Sequence, residues 1–576
     1  MSEQSGGKHR LLKRLARGDS LLGIIVLAVI IYVTLPPIIV MVWKSFIPGI
    51  GLSGHATFSA YRSIAHNGLG STVIDTLIFA AGSALVSLLV GGSIAWAAVR
   101  TDAPAAWLGY VAAFVGFAVP GLVNIIGWII LLGNGSGVAD GWLDKQVLGS
   151  LHVGVENLPA MIAVEGLLNV PIIFFLLIGP FRSLNASFEE AGQIAGGSGS
   201  KVLRKITLPL LKPALYSAII LMGLRGLQGF EVPVLLGIPA RTSIFSARIY
   251  ESIYSSILPD YSSAAAFGTV LVLGLVVLIW LETRATRVGK RFEIISSRAS
   301  TVRVIHLKLS KLLPLILNVL LLAFFLIPCL YVVVASFQER IGAPLSAKYF
   351  TLSNYRTLWH TAGFVSAIRD TVSVAVGAAI ATIIITVLAS WVSVRGPQKI
   401  ARVVNLMSNV PLVIPGVVLG FGYLLFYLYS PVPLFATLWA IVIAFVAMFI
   451  PYGIRYIRPA LLGISSELEE AARISGASGF QVLRRIVLPL VASSVTGTGL
   501  YVFFTSFREL AMVALLVTAG TPLLSTMLLD QTVNGDLTVV SALGSVIFVV
   551  SAVVGLIAFR FIRLQRVGPA VATVIE

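Results

Sequence analysis

Ionisable and nucleophilic residues are scarce in this 576-residue chain, and their spacing limits the chemistry they could perform. The six histidines show none of the H-x3-H or H-E-x-x-H spacings that a helical zinc site requires. Cys329 is the one cysteine, so neither a disulfide nor a thiolate metal site is predicted. The sequence therefore indicates no catalytic residue and no metal centre, which disfavours an enzyme. The histidines are His9, His55, His66, His152, His306 and His360.

The longest polar interruption in the first half covers residues 189–215, EEAGQIAGGSGSKVLRKITLPLLKPAL. Its run GGSGSK is similar to a phosphate-binding loop, but Ser200 instead of glycine precedes Lys201 and no strand leads into it. General acid or base chemistry at Glu189 or Glu190 would require burial that shifts a pKa. Both acids head a polar helix and are expected to be solvated. The stretch is therefore expected neither to bind ATP nor to catalyse a reaction.

The composition of the chain around this stretch is that of a polytopic membrane protein. The chain is 57% hydrophobic and 11% charged, with a mean hydropathy of +0.96, whereas soluble domains carry about 25% charged residues. A membrane helix needs about 20 apolar residues, and the alternation typical of a membrane β-barrel is missing from the apolar runs. An all-α fold with twelve transmembrane helices is predicted, at residues 21–43, 73–99, 107–132, 161–179, 214–236, 264–281, 313–335, 372–394, 403–428, 434–452, 491–517 and 539–559.

The net charge is +17, and the basic residues that produce it are distributed as the predicted topology requires. Alternate connections, counted from the N-terminus, hold 30 of the 41 Lys and Arg residues. The positive-inside rule then predicts that both termini are cytoplasmic, and because the basic charge is explained by topology, binding of nucleic acid is not expected. The first apolar run is too long for a signal-peptide core and lacks an A-x-A cleavage pattern, so it is expected to remain as the first helix.

The polar stretch recurs in the second half, at an offset of 280, as EEAARISGASGFQVLRRIVLPLVASSV in residues 469–495. Further pairs follow in order, such as Pro120-Gly121 with Pro415-Gly416. Because both six-span repeats begin on the inside, they are parallel repeats related by an axis along the membrane normal. The predicted domains are a cytoplasmic tail at 1–20, a first repeat at 21–281, a basic cytoplasmic linker at 282–312, a second repeat at 313–563 and a cytoplasmic tail at 564–576.

Each copy of the stretch lies between the fourth and fifth spans of its repeat and predicts two short helices. Ser187 and Ser466 are the predicted N-caps of the first helix, by the spacing of a capping box. Gly196 and Gly476 are predicted to end that helix with a tight turn. A second short helix follows, and Pro209 is predicted to end it before the next span. The two helices would lie at the inner membrane surface and fit a groove on a partner.

The spacing E-A-[AG]-x3-G-x9-I-x-L-P resembles the EAA loop of binding-protein-dependent ABC importer permeases. In that family the loop forms a coupling helix that docks on the cytoplasmic ATPase. Gly192 stands where the family prefers alanine, and residues 230–239, FEVPVLLGIP, are similar to fused permeases of the ferric-iron type. The matching coupling residues are Glu190, Ala191, Gly196, Val202, Leu203, Ile206 and Pro209, with Glu470, Ala471, Gly476, Val482, Leu483, Ile486 and Pro489.

The resemblance covers nearly the whole chain and implies a type I ABC importer permease fold, also called MetI-like, in a bacterial inner (plasma) membrane. It implies a transport subunit without a cofactor of its own, served by an ATPase homodimer that binds ATP and Mg and by a periplasmic or lipid-anchored binding protein. Ferric iron is the first substrate that the resemblance suggests, ahead of thiamine, an aminophosphonate or a polyamine. A secondary transporter with twelve spans in two parallel halves is the alternative from another class.

Four charged residues in or near the fifth span of each repeat are the candidates for the translocation path. A charge that faces lipid at the bilayer centre costs about 2.5 to 3.5 kcal/mol, so these side chains are expected to face protein or water. Carboxylates at these positions would suit transient contact with a hard cation, but a structural charge near the outer interface is an equally good interpretation. The four residues are Arg225, Glu231, Arg508 and Glu509.

Overall fold

A computed structural model describes residues 3–49, 51–133, 138, 154–184, 186–255, 257–289, 312–344 and 346–565 of the chain. Within these ranges the chain is almost entirely helical, with an isolated β-bridge between Gln338 and Phe350. The predicted all-α polytopic fold is confirmed. Most of the predicted linker at 282–312 and of the tail at 564–576 lies outside the described residues.

The helices of the first half follow the apolar runs and add short polar helices between them. A π-helical turn at Leu203–Thr207 joins α9 to α10, and a second at Pro233–Gly237 follows α10. The helices are α1 Glu3–Lys44, α2 Ser59–His66, α3 Leu69–Arg100, α4 Trp107–Ala118, α5 Gly121–Leu132, α6 Leu158–Leu168, α7 Val170–Ser183, α8 Ala186–Ile194, α9 Gly199–Val202, α10 Leu208–Gln228, α11 Phe245–Tyr254 and α12 Tyr261–Gly289.

The helices of the second half repeat this order. A π-helical turn at Leu483–Val487 again follows the short helix after the glycine turn. The helices are α13 Leu312–Ala335, α14 Ser353–His360, α15 Phe364–Arg395, α16 Gln398–Val413, α17 Gly416–Tyr429, α18 Leu438–Leu462, α19 Ser466–Ile474, α20 Gly479–Val482, α21 Leu488–Leu490, α22 Ala492–Arg508, α23 Leu524–Asn534 and α24 Leu537–Gln565.

The number of membrane spans lies between seven and eleven in the described residues. Seven helices are long and apolar enough to cross a membrane, and four more spans result if each sharply bent helix pair counts as one. The bends are 96° between α4 and α5, 47° between α6 and α7, 107° between α16 and α17, and 78° between the segment that ends at Leu490 and α22. The apolar part of α24, Leu537–Val553, is shorter. A count of twelve is therefore not confirmed.

The first compact unit consists of residues 1–58, 361–527 and 553–576. In it α1 packs closely on α17, and the Tyr423 hydroxyl donates a hydrogen bond to the Val33 carbonyl. Pro37 interrupts the hydrogen bonding of α1, and a Cβ built on Gly422 would lie 2.8 Å from the Pro37 carbonyl oxygen. Only a glycine lets the two backbones approach this closely.

The second compact unit consists of residues 59–360 and 528–552. Here α13 packs on α5, and the Asn124 side-chain amide donates to the Phe324 carbonyl at 3.0 Å. A Cβ on Gly127 would lie 2.5 Å from the Pro328 carbonyl oxygen. The same proline and glycine contact thus occurs in both units. The first span of the first repeat therefore lies in the first compact unit, together with the second to fifth spans of the second repeat. The first span of the second repeat lies in the second compact unit, together with the second to fifth spans of the first repeat.

Candidate functional site

Each duplicated loop begins with a short helix that ends at a glycine turn. Gly196 has φ = +80° and Gly476 has φ = +88°, a left-handed conformation that glycine adopts without steric cost. In both copies the amide of the next residue donates to the carbonyl five residues earlier, at 3.0 Å. This is the bond that closes a Schellman motif. The prediction that both glycines end the first helix in a tight turn is confirmed.

The starts of these helices differ from the prediction by one or two residues. Ser465 is the N-cap of α19, and its hydroxyl accepts a hydrogen bond from the Glu467 amide at 3.3 Å. Ser466 is the first residue of that helix. Ser187 lies inside α8, which begins at Ala186. Both predicted N-caps are therefore wrong, by the one or two residues by which helix boundaries commonly differ. In the second copy the adjacent serines Ser465 and Ser466 both suit the capping position.

The prediction that Pro209 ends the second short helix is also wrong. Residues Leu203–Gln228 form one continuous helix, in which the Leu208 amide donates to the Leu203 carbonyl across the π turn. Pro209 lies in the first turn of α10, directly after the π turn, and proline is tolerated in a first helical turn although it has no backbone N–H to donate. In the second copy the helix does break, two residues after Pro489, at Val491.

Apolar residues after each glycine turn fold back onto their own unit. Val202 is buried in the first copy, and Val482 and Leu483 are buried in the second. Val482 and Leu483 belong to a core cluster with Trp391 and Leu461. These predicted coupling residues therefore hold the loop in place instead of offering it to a partner. Leu203, Ile206 and Ile486 are half-buried.

Gly192 has a packing explanation in this arrangement. A Cβ at this position would lie 2.4 Å from Ile206 Cδ1. The second copy has Ala472 at the equivalent position. Ile206 therefore packs against the backbone of α8 in the space that an alanine would occupy.

The exposed surface of each short helix carries apolar side chains that the sequence analysis did not single out. Ile194 is 88% exposed and Ile474 is 87% exposed, at equivalent ends of α8 and α19. Phe188 and Leu468 form a second equivalent pair, each about half-exposed. The signal in the sequence was an isoleucine at the same place in both copies. The other predicted coupling residues at this surface are Glu190, Ala191, Gly196, Pro209, Glu470, Ala471, Gly476 and Pro489, all exposed.

Glu189 is buried, which contradicts the expectation that it is solvated. Its carboxylate forms an ion pair with Arg100, the last residue of α3. The Thr207 hydroxyl donates to the same carboxylate at 2.7 Å. Arg100 also donates to the Leu184 carbonyl at 3.3 Å. The reason is tertiary: α3 ends beside α8 and supplies the counter-charge that makes burial of the acid tolerable.

The second copy repeats this ion pair. Arg395, the last residue of α15, donates from Nε to both Glu469 carboxylate oxygens at 3.0 and 3.1 Å. Its Nη2 donates to the Ile464 carbonyl at 3.1 Å. Glu469 is buried like Glu189, whereas the Arg395 side chain is 23% exposed. Sequence reasoning missed both arginines, although they recur at the offset of 295 that relates Pro120 to Pro415.

Two of the predicted path residues lie beside the starts of bent membrane helices. A Cβ on Gly121, the first residue of α5, would lie 2.8 Å from a Glu231 carboxylate oxygen. A Cβ on Gly416, the first residue of α17, would lie 3.4 Å from Glu509 Oε1, which also accepts from the Met512 amide at 3.3 Å. The unpaired amides at a helix N-terminus stabilise an anion. Each carboxylate is therefore placed to stabilise the second half of a bent span.

Arg225 joins a polar network that the sequence analysis did not identify. Its Nε donates to Asn169 Oδ1 at 3.1 Å, and Asn169 in turn donates to the Glu165 carboxylate at 2.9 Å. Asn169 lies at the bend between α6 and α7. Arg225 itself is exposed. Glu165 could have indicated this network from the sequence, because it is a charged residue inside a predicted span.

Arg508 makes a different contact from Arg225. Its guanidinium lies 4.7 Å from the ring centroid of Phe504, a cation–π distance on the same helix. No three His, Cys, Asp or Glu side chains of the described ranges form a group that could hold a metal ion. The charged residues near the fifth spans therefore form separate local contacts within their own units.

Comparison with known proteins places this chain among transport components. Residues 383–569 match the model of the binding-protein-dependent transport system inner membrane component family. The chain is 29% identical over 381 residues to the probable ABC transporter permease y4fN of Sinorhizobium fredii, covering 63% of this chain and 64% of that protein. The chain thus spans slightly less than two thirds of that relative's length.

Two further relatives match larger shares of both chains at lower identity. The ferric transport system permease FbpB of Actinobacillus pleuropneumoniae is 25% identical over 491 residues, covering 83% of this chain and 69% of that protein. The thiamine transport system permease ThiP of Brucella abortus is 23% identical over 404 residues, covering 69% and 70%. The second half of the chain thus carries the family match and, together with the polytopic helical fold, these relatives support a binding-protein-dependent ABC importer permease.

Proposed function

We propose that this chain is the membrane-spanning subunit of an ATP-driven importer. It moves a small substrate that a periplasmic or lipid-anchored binding protein delivers. A separate cytoplasmic ATPase homodimer binds ATP and Mg and hydrolyses the nucleotide, so the chain needs no cofactor of its own. Its contribution is a path across the membrane and two loops that receive the movement of the ATPase.

The two duplicated loops are the observation that carries this proposal. Each presents a short helix whose exposed end is an isoleucine, Ile194 or Ile474, and whose base is held by a buried ion pair. An amphipathic helix with exposed apolar anchors fits a hydrophobic groove on a partner. Two equivalent helices fit two equivalent grooves, which is what an ATPase homodimer offers.

The distribution of Lys and Arg supports an inner-membrane location with both loops and both termini in the cytoplasm. Cysteine labelling tests this orientation. In a Cys329→Ser background, Ala195→Cys and Ser475→Cys should react with a membrane-impermeant reagent only after the cells are opened. Ile257→Cys, in a fully exposed loop between the fifth and sixth spans, is the matched control and should react in intact cells. Labelling of either loop from outside would exclude the proposed topology.

Docking to an ATPase is tested at the exposed isoleucines. Ile194→Asp combined with Ile474→Asp should abolish co-purification of the ATPase while the permease remains folded, because both side chains are exposed. Leu352→Asp is the control, since Leu352 is also exposed but lies outside the loops. Transport that continues without ATPase or ATP would instead support a secondary transporter.

Ferric iron is the substrate that we propose first. The FbpB relative and the FEVPVLLGIP run at residues 230–239 support iron. Thiamine is the second candidate, supported by the ThiP relative. Glu231 and Glu509 suit brief contact with a hard cation, and the chain's one thiol is buried. Selectivity is then a property of the binding protein more than of the path.

Reconstitution of the permease with its ATPase and binding protein in liposomes decides between these substrates. Ferric iron, thiamine, an aminophosphonate and a polyamine are offered separately, and ATP hydrolysis and accumulation inside the liposomes are measured. Iron alone should stimulate hydrolysis and accumulate. Stimulation by an organic compound alone would exclude iron. Unchanged iron uptake in a Glu231→Gln, Glu509→Gln double variant would remove these two residues from the path.

A further inference from the structure

A duplicated arginine ties each exposed loop to the end of a long membrane helix. Arg100 ends the 32-residue helix α3, and Arg395 ends the 32-residue helix α15. Both ion pairs join the first acid of the EE pair, Glu189 or Glu469, and not the Glu190 or Glu470 of the family spacing. Two loops with different neighbours have therefore kept one arrangement of charges.

Each arginine holds its loop at two points instead of one. The guanidinium contacts the carboxylate inside the short helix and also the carbonyl of the residue that leads into it, Leu184 or Ile464. Two contacts from one planar group fix the direction of the short helix as well as its place. The loop should therefore move together with the end of α3 or α15.

The other connection of each loop has a less regular backbone. A π-helical turn, Leu203–Thr207 or Leu483–Val487, lies between the glycine turn and the following span. π turns are rare and often mark functional sites in helices. A displacement of the loop meets a rigid charged contact on one side and an irregular turn on the other. In the first copy this turn lies within a continuous helix, so the arginine contact is a second connection between the loop and the membrane helices.

We infer that Arg100 and Arg395 are positioning residues that carry the movement of the docked loops into α3 and α15. This inference rests on the proposed function, because it assigns a path to the movement that the ATPase supplies. Neither arginine contacts substrate or nucleotide in this role; each acts through the orientation of α8 or α19. Loss of the contact should uncouple ATP hydrolysis from transport without releasing the ATPase.

The test uses the complete reconstituted transporter and measures substrate accumulated per ATP hydrolysed. Arg395→Gln is the main variant, because its partly exposed side chain makes misfolding a smaller risk than for Arg100. Arg100→Gln, Arg395→Lys and the exchanged pair Arg395→Glu with Glu469→Arg complete the set. Arg369→Gln is the matched control, because it removes the ion pair of an exposed arginine with the buried Asp370 in the first turns of the same helix α15, away from the loop.

Arg395→Gln should lower the ratio of transport to hydrolysis about tenfold while the ATPase still co-purifies. Arg395→Lys and the exchanged pair should each recover part of that ratio, because both restore the ion pair but not the planar two-point contact with the Ile464 carbonyl. Arg369→Gln should leave the ratio unchanged. A ratio within about twofold of the unaltered protein in Arg395→Gln, or no recovery in a folded exchanged pair, would overturn the inference. If the unaltered complex neither binds an ATPase nor transports, the proposed function fails instead.

Discussion

The two copies of the duplicated loop share their ion pair but differ in what surrounds it. In the first copy Arg100 is wholly buried and Thr207 adds a hydrogen bond to the Glu189 carboxylate. In the second copy Arg395 is partly exposed, and Val487 stands at the position of Thr207. Packing around the charges has changed between the copies while the charges have not. The contact between the arginine and the acid is therefore what both loops require, and the burial around it is adjustable.

A second comparison concerns the fourth span of each repeat, which is bent in the first repeat and continuous in the second. Pro171 and Pro451 are equivalent, yet α6 and α7 meet at 47° while α18 is one continuous helix. The first copy places Asn169 at the bend, bonded to Arg225, whereas the second copy has Phe449 there. Proline alone therefore does not decide the bend. In the bent copy, the polar side chain of Asn169 forms hydrogen bonds at the break between the two helices.

The largest difference between the copies is expected on removal of the arginines. Arg100→Ala leaves the Glu189 carboxylate buried without its counter-charge, which should lower the free energy of unfolding by about 3 to 5 kcal/mol. Arg395→Ala should cost about half as much, because water reaches part of that pair. Chemical denaturation of both variants in detergent measures the difference. Equal losses would show that the burial around the two pairs is energetically equivalent.

The proline and glycine contacts provide the next comparison. A Cβ on Gly127 would lie 2.5 Å from the Pro328 carbonyl oxygen, and one on Gly422 would lie 2.8 Å from that of Pro37. Gly127→Ala should destabilise the protein by about 1 to 3 kcal/mol, and Gly422→Ala by somewhat less, since a backbone oxygen cannot rotate out of the way. The apparent melting temperature in detergent measures both.

Gly223→Ala is the control for this pair, because no atom lies within 4 Å of a Cβ built there. That substitution should leave stability unchanged or raise it, as alanine is the better helix former. A melting temperature that falls equally in all three variants would mean that the backbone approach seen at Gly127 and Gly422 is unimportant.

The sequence was sufficient where local rules determine the structure. The glycine turns at Gly196 and Gly476 were predictable because their conformation depends on a few neighbouring residues. The apolar runs likewise predicted the long membrane helices. Helix starts at Ser187 and Ser466 were not predictable to the residue, because a capping pattern locates a helix start only to within one or two positions.

The sequence was insufficient where distant residues decide the outcome. Burial of Glu189 depends on Arg100, 89 residues earlier, which no local pattern indicates. The continuity of the helix through Pro209 depends on a π turn that has no simple sequence signature. The count of twelve spans is not confirmed for a related reason, since three of the predicted spans contain a sharp bend between two shorter helices.

A smaller effect is expected where the copies differ by a single hydroxyl. Thr207→Val removes the third contact of Glu189 and makes the first copy resemble the second, and it should cost about 1.5 kcal/mol because the lost bond is to a charged group. Val487→Thr offers Glu469 the corresponding donor and should be neutral or slightly stabilising. Denaturation in detergent measures both variants. Destabilisation by Val487→Thr that matches Thr207→Val would show that the second loop cannot adopt the arrangement of the first.

Of the losses of stability expected from single substitutions, the smallest are at the glycine turns, where the copies are most alike. Gly196→Ala and Gly476→Ala should each cost about 1 kcal/mol, because both residues have positive φ. No atom lies within 4 Å of a Cβ at either position, so backbone strain is the only cost and the two losses should be equal. Melting temperatures in detergent measure the stability, and co-purification of the ATPase shows whether a strained turn turns the exposed helix away from its partner. Unequal losses would mean that the two turns, despite matching backbone angles and hydrogen bonds, are held differently by their units.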